Sequence, residues 1–334
     1  MSRLRMAIVG CGGMAQTYRD RLVPLADRIE VVATVDPLPD RAADLAAAFP
    51  PARPETRIEA VLDDIDAAVV MTPHHTHLDV GRQLLQAGKH VMMEKPLALT
   101  EDECLELIAE GDRADRVLMA AYPMRFHPLL VSLQEAVADG LIGEVFDASI
   151  WTEQYTRYEE GHWAHRRATL GGGQLFSHGC HYIDVLLRLL GEPVRGSHFG
   201  TRLGTPWMEG EGTSHATIQF ASGALGHHFG TWGARGTQLG YLAQVHGTEG
   251  LLSVDIMAGR LRHTTSARTR TIAEAERHAK YLHLGVQHFV DVIEGRADLV
   301  ADPWSALQSL RVIWRLYEAE QRGVVADLRG LVPG

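Results

Sequence analysis

The sequence predicts an α/β chain in two parts: a doubly wound parallel sheet over residues 1–122, then an α+β domain over 123–334 built on a large, mainly antiparallel open β-sheet. Three observations carry this. Short apolar runs alternate with helical stretches through the early part of the chain, the pattern of parallel strands buried between helices. A glycine-rich turn, Gly10-Cys11-Gly12-Gly13-Met14-Ala15, follows the first of those runs at once. Beyond residue 125 the texture changes to β-rich segments punctuated by Gly, Thr and Ser, as in an antiparallel sheet.

Met6 to Val9 is the first buried strand, and a helix runs from Met14 to Leu25. Val31 to Val35 is the second strand, ending at Asp36, and Arg41 to Phe49 is an alanine-rich helix. Ala67 to Met71 is a strand, Leu78 to Ala87 a helix that Gly88 stops, and His90 to Met93 the next strand. Thr100 with Glu103 is a capping-box pattern that opens a helix, and Val117 to Ala121 is a further strand. In the second part Leu129 to Ala138 is helical, and Val145–Trp151, His215–Phe220, Ala224–Trp232 and Leu242–His246 are β-rich. Between them Gly179 to Leu190 is helical, with His181, Asp184 and Arg188 roughly a turn apart on one face. His288–Ile293 and Trp304–Gln321 are the last helices.

Composition bounds the function. At 334 residues the chain exceeds one usual core, and 46% hydrophobic with 22% charged residues is an ordinary globular balance. A net charge of −10 argues against a nucleic-acid partner or an anionic membrane surface. Cys11, Cys104 and Cys180 are too few and scattered for a disulfide framework, which fits a reducing compartment. No secretory signal pattern precedes the first strand, and no apolar run reaches the roughly 18 residues of a membrane span. The expectation is a soluble, cytoplasmic protein.

The glycine turn follows a strand and opens a helix, which is the context of a dinucleotide cradle. Gly10 permits the sharp turn, Gly12 lets backbone approach a pyrophosphate, and Ala15 allows close helix–strand packing. Asp36, at the end of the second strand, stands where a carboxylate accepts hydrogen bonds from the adenosine ribose. An acid there repels a 2′-phosphate, so NAD is expected over NADP; Arg41 is the nearby cation that tempers the preference. The other reading of Asp36 is a turn residue before Pro37. Thr72-Pro73-His74-His75-Thr76-His77 ends a strand and lines the cofactor cleft. Three histidines invite a metal reading, but no carboxylate or cysteine stands at ligand spacing, and no metal is expected there or at His178 and Cys180.

Glu94-Lys95-Pro96 ends another apolar strand, and Lys95 is one of only three lysines, with Lys89 and Lys280, in an otherwise arginine-using chain. Lys offers a compact ammonium that can release a proton when buried, which a guanidinium cannot. A helix-flanking surface lysine is the plain alternative.

Together these residues resemble the glucose–fructose oxidoreductase / inositol dehydrogenase (Gfo/Idh/MocA) family. Thr72-Pro73-His74 with His77, Gly88-Lys89-His90-Val91 and Glu94-Lys95-Pro96 match its ordered N-terminal motifs. Arg125-Phe126-His127-Pro128, Gly140 to Glu144, Trp163 before Gly171-Gly172-Gly173, Gly179 with His181 and Asp184, and Gly247 to Gly250 match later ones. Ser177 departs from the pattern, standing where the family usually has Asp, and His74 replaces the usual Asn.

The resemblance implies a Rossmann domain and an NAD-dependent oxidoreductase that interconverts a secondary hydroxyl and a ketone on a sugar, cyclic polyol or derivative. It implies His181 as base, Lys95 on the reacting oxygen, Asp184 orienting His181, and His178 taking part of the missing Asp's role. Gly10, Gly12, Gly13, Met14, Asp36, Arg41, Thr72, Pro73, His74, His77, Glu94, Lys95 and Arg125 are the expected cofactor contacts. Lys95, Tyr155, Trp163, Arg166, Ser177 and His181 are those expected for substrate, with Arg166 and Arg167 open to an acidic group such as a uronate. A homodimer or homotetramer through the open sheet is expected. Ser177 keeps two other uses of the scaffold open: an NAD-using glycosidase that oxidises its sugar transiently, and a non-catalytic sensor of nucleotide or sugar.

Overall fold

The computed structural model describes residues 3–277 and 281–331. Strands β1 (Leu4–Val9), β2 (Ile29–Val35), β3 (Arg53–Glu55), β4 (Ala67–Val70), β5 (His90–Glu94) and β6 (Leu118–Ala121) form a parallel sheet in the order β3-β2-β1-β4-β5-β6. Helices α1 (Gly13–Leu22), α2 (Pro39–Ala46), α3 (His77–Gln86) and α4 (Glu101–Ala114) connect them. β1 and β4 are neighbours that belong to opposite windings, so their carboxyl ends flank the switch point where such sheets bind ligands. All four β4 residues are buried, which is why its sequence is an unbroken apolar run. At α4 the Thr100 hydroxyl accepts from the Glu103 N–H at 3.2 Å, and the Glu103 carboxylate accepts the Leu99 N–H at 2.8 Å, one residue before the cap.

The compact units are each built from two segments of the chain, where a single boundary at residue 122/123 was expected. Among the described residues, one compact unit runs to Pro123 and takes in Tyr281–Leu307; the other starts at Met124 and resumes at Gln308. The helix Leu282–Ile293 returns to the first unit, burying Leu282, Val286, Phe289 and Val290. Arg28 holds it through Asp291 at 2.8 Å and Glu294 at 2.6 Å. An amphipathic helix states that one face is buried, not which sheet buries it.

The second unit carries a nine-stranded sheet. Its strands are β7 (Val145–Glu153), β8 (Pro193–Thr201), β9 (Thr213–Phe220), β10 (Leu225–Thr231), β11 (Tyr241–Gly247), β12 (Gly250–Asp255), β13 (Arg260–Thr264), β14 (Thr269–Glu274) and β15 (Ala326–Asp327). Their order is β14-β13-β12-β11-β7-β10-β9-β8-β15, and β7–β10 is the parallel pair among antiparallel neighbours. Helices α5 (Pro128–Ala138), α6 (Arg167–Leu170) and α7 (Cys180–Leu190) belong to this unit, α5 lying against β12 to β14 and α7 against β7 and β10. Gly226 on β10 makes room for Leu186 and Leu190 of α7. Strands β8 and β13 carry too many Gly, Ser, Arg and His residues to announce themselves; pairing inside the sheet makes them strands.

Candidate active site

Most expected cofactor residues fall on the carboxyl edge of the six-stranded sheet. Gly10, Gly12, Gly13 and Met14 follow β1, Asp36 follows β2, Thr72 to His77 follow β4, and Glu94 and Lys95 close β5. Arg41 is exposed on α2.

Gly10 has φ +89°, and a Cβ there would lie 2.7 Å from the Met71 carbonyl, so the turn beside β4 requires glycine. Gly12 and Gly13 differ. A Cβ on either meets nothing within 4 Å, and neither has a positive φ. Internal packing does not demand glycine at these two places, whereas a ligand lying over the N–H groups of the first turn of α1 would. Asp36 is only 6% exposed; it accepts the Cys11 N–H at 2.9 Å and the Leu38 N–H at 3.0 Å, leaving lone pairs for a ribose. Burial, then the Asp36 charge, pushes the Cys11 thiol up to about 12, so it is no nucleophile.

The turn after β5 is tied on two sides. Glu94 accepts the Tyr18 hydroxyl at 3.0 Å and the Lys95 N–H at 3.3 Å. Tyr18, from α1, is fully buried, and burial followed by the Glu94 charge raises its hydroxyl well above the usual range. His77 places Nδ1 2.8 Å from the Pro96 carbonyl oxygen and Nε2 3.0 Å from that of Thr72. Burial outweighs both carbonyls and lowers its pKa to about 4, so the ring is neutral and donates its one N–H to one of the two carbonyls. His77 thus lies buried between the loop after β4 and the turn carrying Lys95. Tyr18 was not expected; its one-turn spacing from Met14 on the cradle helix is the signal that could have found it.

In the second unit, five residues in one wide π turn, Leu175–Gly179, lead directly into α7 and carry Ser177 and His178. His178 and His181 face each other edge to face at 6.0 Å between ring centroids, with Tyr182 at 5.4 Å and Tyr241 at 5.9 Å from His178. Glu211 and Tyr317 hold the start of this turn: the Tyr317 hydroxyl donates to Glu211 at 2.6 Å, and Glu211 accepts the Leu175 N–H at 3.1 Å. Burial raises the pKa of the Glu211 carboxyl, and a side chain at Gly173 would collide with it. Neither residue was singled out from sequence, because their partners lie far along the chain.

Asp184 lies in a buried ion pair. Both its oxygens face Arg125, Nε at 3.0 Å and the terminal nitrogen at 2.5 Å, and both residues are nearly inaccessible. The Asp184 carboxylate is engaged by Arg125, and this part of the Arg125 fork is committed to Asp184. A planar guanidinium matches two carboxylate oxygens at once, which an imidazole cannot.

The expected substrate residues cluster in part. Tyr155 meets Trp207 edge to face at 6.1 Å, with Arg235 stacked 5.5 Å over Tyr155 and Arg157 5.3 Å over Trp207. Trp163 packs with Trp207 against buried Ala164, Leu170, Met208 and Trp232, while Arg166 is exposed. Sequence reasoning missed Trp207, Arg157 and Arg235.

Comparison with known proteins matches this architecture. A family model described as an oxidoreductase family with an NAD-binding Rossmann fold matches residues 4–122, and a GFO/IDH/MocA C-terminal domain model matches residues 130–253. The chain belongs to the GFO/IDH/MocA family of oxidoreductases, and its N-terminal region is an NAD-binding Rossmann domain. It is 26% identical over 314 residues to the 1,5-anhydro-D-fructose reductase of Ensifer adhaerens, covering 90% of this chain and 91% of that one. It is 27% identical over 318 residues to the scyllo-inositol 2-dehydrogenase (NAD(+)) of Bacillus subtilis, covering 90% and 89%. The aldose-aldose oxidoreductase of Caulobacter crescentus, crystallised with glycerol, superposes with a TM-score of 0.87 at 24% identity, covering 98% of this chain and 100% of that one. Among the described residues no helix is long and apolar enough to cross a membrane, and no cluster of metal-ligating side chains occurs.

Proposed function

We propose that this oxidoreductase interconverts a secondary hydroxyl and a ketone on a sugar, cyclic polyol or sugar derivative. The observation that carries the reading is the Glu94-Lys95-Pro96 turn. It is fixed by Tyr18 and His77 at the same sheet edge as a glycine cradle whose second and third glycines no internal contact explains. NAD, when bound, supplies the hydride acceptor or donor. Gly12, Gly13 and Met14 would hold its phosphates and Asp36 a ribose. Lys95 stabilises negative charge developing on the substrate oxygen, and His181 takes or returns the hydroxyl proton. Tyr155, Trp163 and Trp207 offer flat faces to a hydroxylated ring, and the curated relatives are named for such substrates.

A panel of inositols, aldoses, uronates and their keto forms, followed at the NADH absorbance band, tests this. With a converted substrate in hand, Lys95→Ala and His181→Ala each lower turnover roughly a hundredfold or more with NAD affinity nearly intact. Near-normal turnover in either variant overturns its role. Release of a leaving group from a glycoside without NADH accumulation selects the glycosidase reading, and NAD binding with no conversion anywhere selects the sensor.

The open face of the nine-stranded sheet supports self-association. Phe199, His215, Phe229, Trp151 and Leu242 pair in register across five adjacent strands, and Phe199 is 71% exposed. A continuous apolar and aromatic ridge of this kind is the usual mark of an interface. We assign it to a homodimer or homotetramer in a reducing, cytoplasmic setting, where Cys11, Cys104 and Cys180 remain buried free thiols. Trp151→Glu with Phe229→Glu should give a monomer by light scattering; an unchanged mass rejects the assignment.

A further inference from the structure

A buried polar chain lies behind His178. Gln174, immediately before the π turn, is fully buried. Its side-chain oxygen accepts the Ser214 hydroxyl at 3.0 Å, and its side-chain nitrogen lies 3.5 Å from the Thr152 hydroxyl and 3.3 Å from Nδ1 of His178. Gly230 leaves the space the amide fills, since any Cβ there would collide with it. The strands are thus built around this one side chain.

The amide nitrogen can only donate, and that fixes the roles of its partners. The Thr152 hydroxyl donates to the Phe229 carbonyl at 3.5 Å, so its oxygen is left to accept. It accepts from the Gln174 amide nitrogen, and Nε2 of His228 lies 3.1 Å away. His228 is fully buried, with its pKa lowered to about 3 by desolvation, so its ring is neutral. The second hydrogen of the Gln174 amide nitrogen points to His178 Nδ1, which must therefore accept. A neutral imidazole that accepts at one nitrogen carries its proton on the other.

We propose that Gln174 is a positioning residue that fixes His178 as the neutral tautomer protonated at Nε2, a role that rests on the proposed place of His178 and His181 at the reacting site. His178 then presents a hydrogen-bond donor to a substrate hydroxyl or carbonyl oxygen, leaving His181 as the proton acceptor. Two histidines of one turn are divided into donor and base by a glutamine behind one of them.

Ring-¹⁵N-labelled protein tests this without any substrate. Long-range ¹H–¹⁵N correlation, with His178 identified by the signal lost in His178→Ala, should show Nδ1 unprotonated and Nε2 protonated in the wild type. Gln174→Glu supplies an acceptor and should move the proton to Nδ1 or protonate both nitrogens; Gln174→Met, of similar volume, should give a mixture. A wild-type proton on Nδ1 overturns the proposal whatever the enzyme's activity. On a converted substrate, both Gln174 variants should lose about tenfold or more in kcat/KM with NAD binding intact, and the loss should vanish in a His178→Ala background. A loss that persists undiminished there makes Gln174 a packing residue and rejects the positioning role.

Discussion

The guanidinium of Arg125 grips the carboxylate of Asp184 in a two-point ion pair from which water is almost wholly excluded, the two side chains being 1% and 2% exposed. Arg125 opens the second unit and Asp184 lies on the helix that carries His181, so the pair pins the site helix to the start of its own unit. A buried pair of this kind costs little while intact and much when halved, because the remaining charge is stranded. Asp184→Asn should therefore lower stability by about 3–5 kcal/mol. Arg125→Met with Asp184→Leu should recover much of that loss in denaturant melts. Equal losses in the single and double variants would show that the charges themselves are not the issue.

The two cradle glycines separate stability from binding. Gly10→Ala meets a φ of +89° and a backbone contact at 2.7 Å, and should cost about 2 kcal/mol or more of stability. Gly12→Ala meets open space within the chain and should melt as the wild type does. Its NAD affinity should nevertheless fall about tenfold or more, or roughly 1.4 kcal/mol, by calorimetric titration. Unchanged affinity in Gly12→Ala would remove the cradle reading.

Cofactor choice depends on Asp36. Its buried carboxylate is fixed by two backbone N–H groups and cannot swing away from a 2′-phosphate. NAD should bind more tightly than NADP, and Asp36→Ser should narrow the gap by about tenfold. NADP binding more tightly in the wild type would refute the preference.

Acid should unfold the protein earlier than its carboxylates alone predict. His77 and His228 have pKa values lowered to about 4 and about 3 by burial. Both lie below the ordinary histidine value of about 6.5, so the unfolded chain binds the extra protons. Their contribution is intact above about pH 6.5 and is lost as pH falls toward those lowered values, at up to roughly 3 kcal/mol for His77 and roughly 5 kcal/mol for His228. His228→Phe keeps the stack on Tyr182 and should flatten the stability profile between about pH 6 and 4; a profile as steep as the wild type's would exclude this origin.

His77 acts through distance. His77→Ala should leave NAD affinity within a few-fold yet lower kcat by roughly tenfold to a hundredfold, because Lys95 loses one support and small displacements weigh heavily on rate. A fall in NAD affinity with kcat unchanged would return His77 to the cofactor.

The parallel sheet, its glycine turn and the strand ends bearing Asp36, Thr72 and Lys95 were legible in the residues alone. Those features are local: an apolar run, a turn needing glycine and a helix start are written in neighbouring residues. The family was legible too, through motifs kept in order along the chain. Folding in three dimensions decided that Leu282–Ile293 joins the first unit and that Asp184 answers Arg125. It decided too that His77 faces two backbone carbonyls, that Tyr18 holds Glu94, and that Glu211, Tyr317 and Gln174 meet the turn carrying Ser177 and His178. The reason is physical: a buried polar group takes whichever partner the packed fold brings within about 3 Å, and that partner comes from a distant segment no periodicity records.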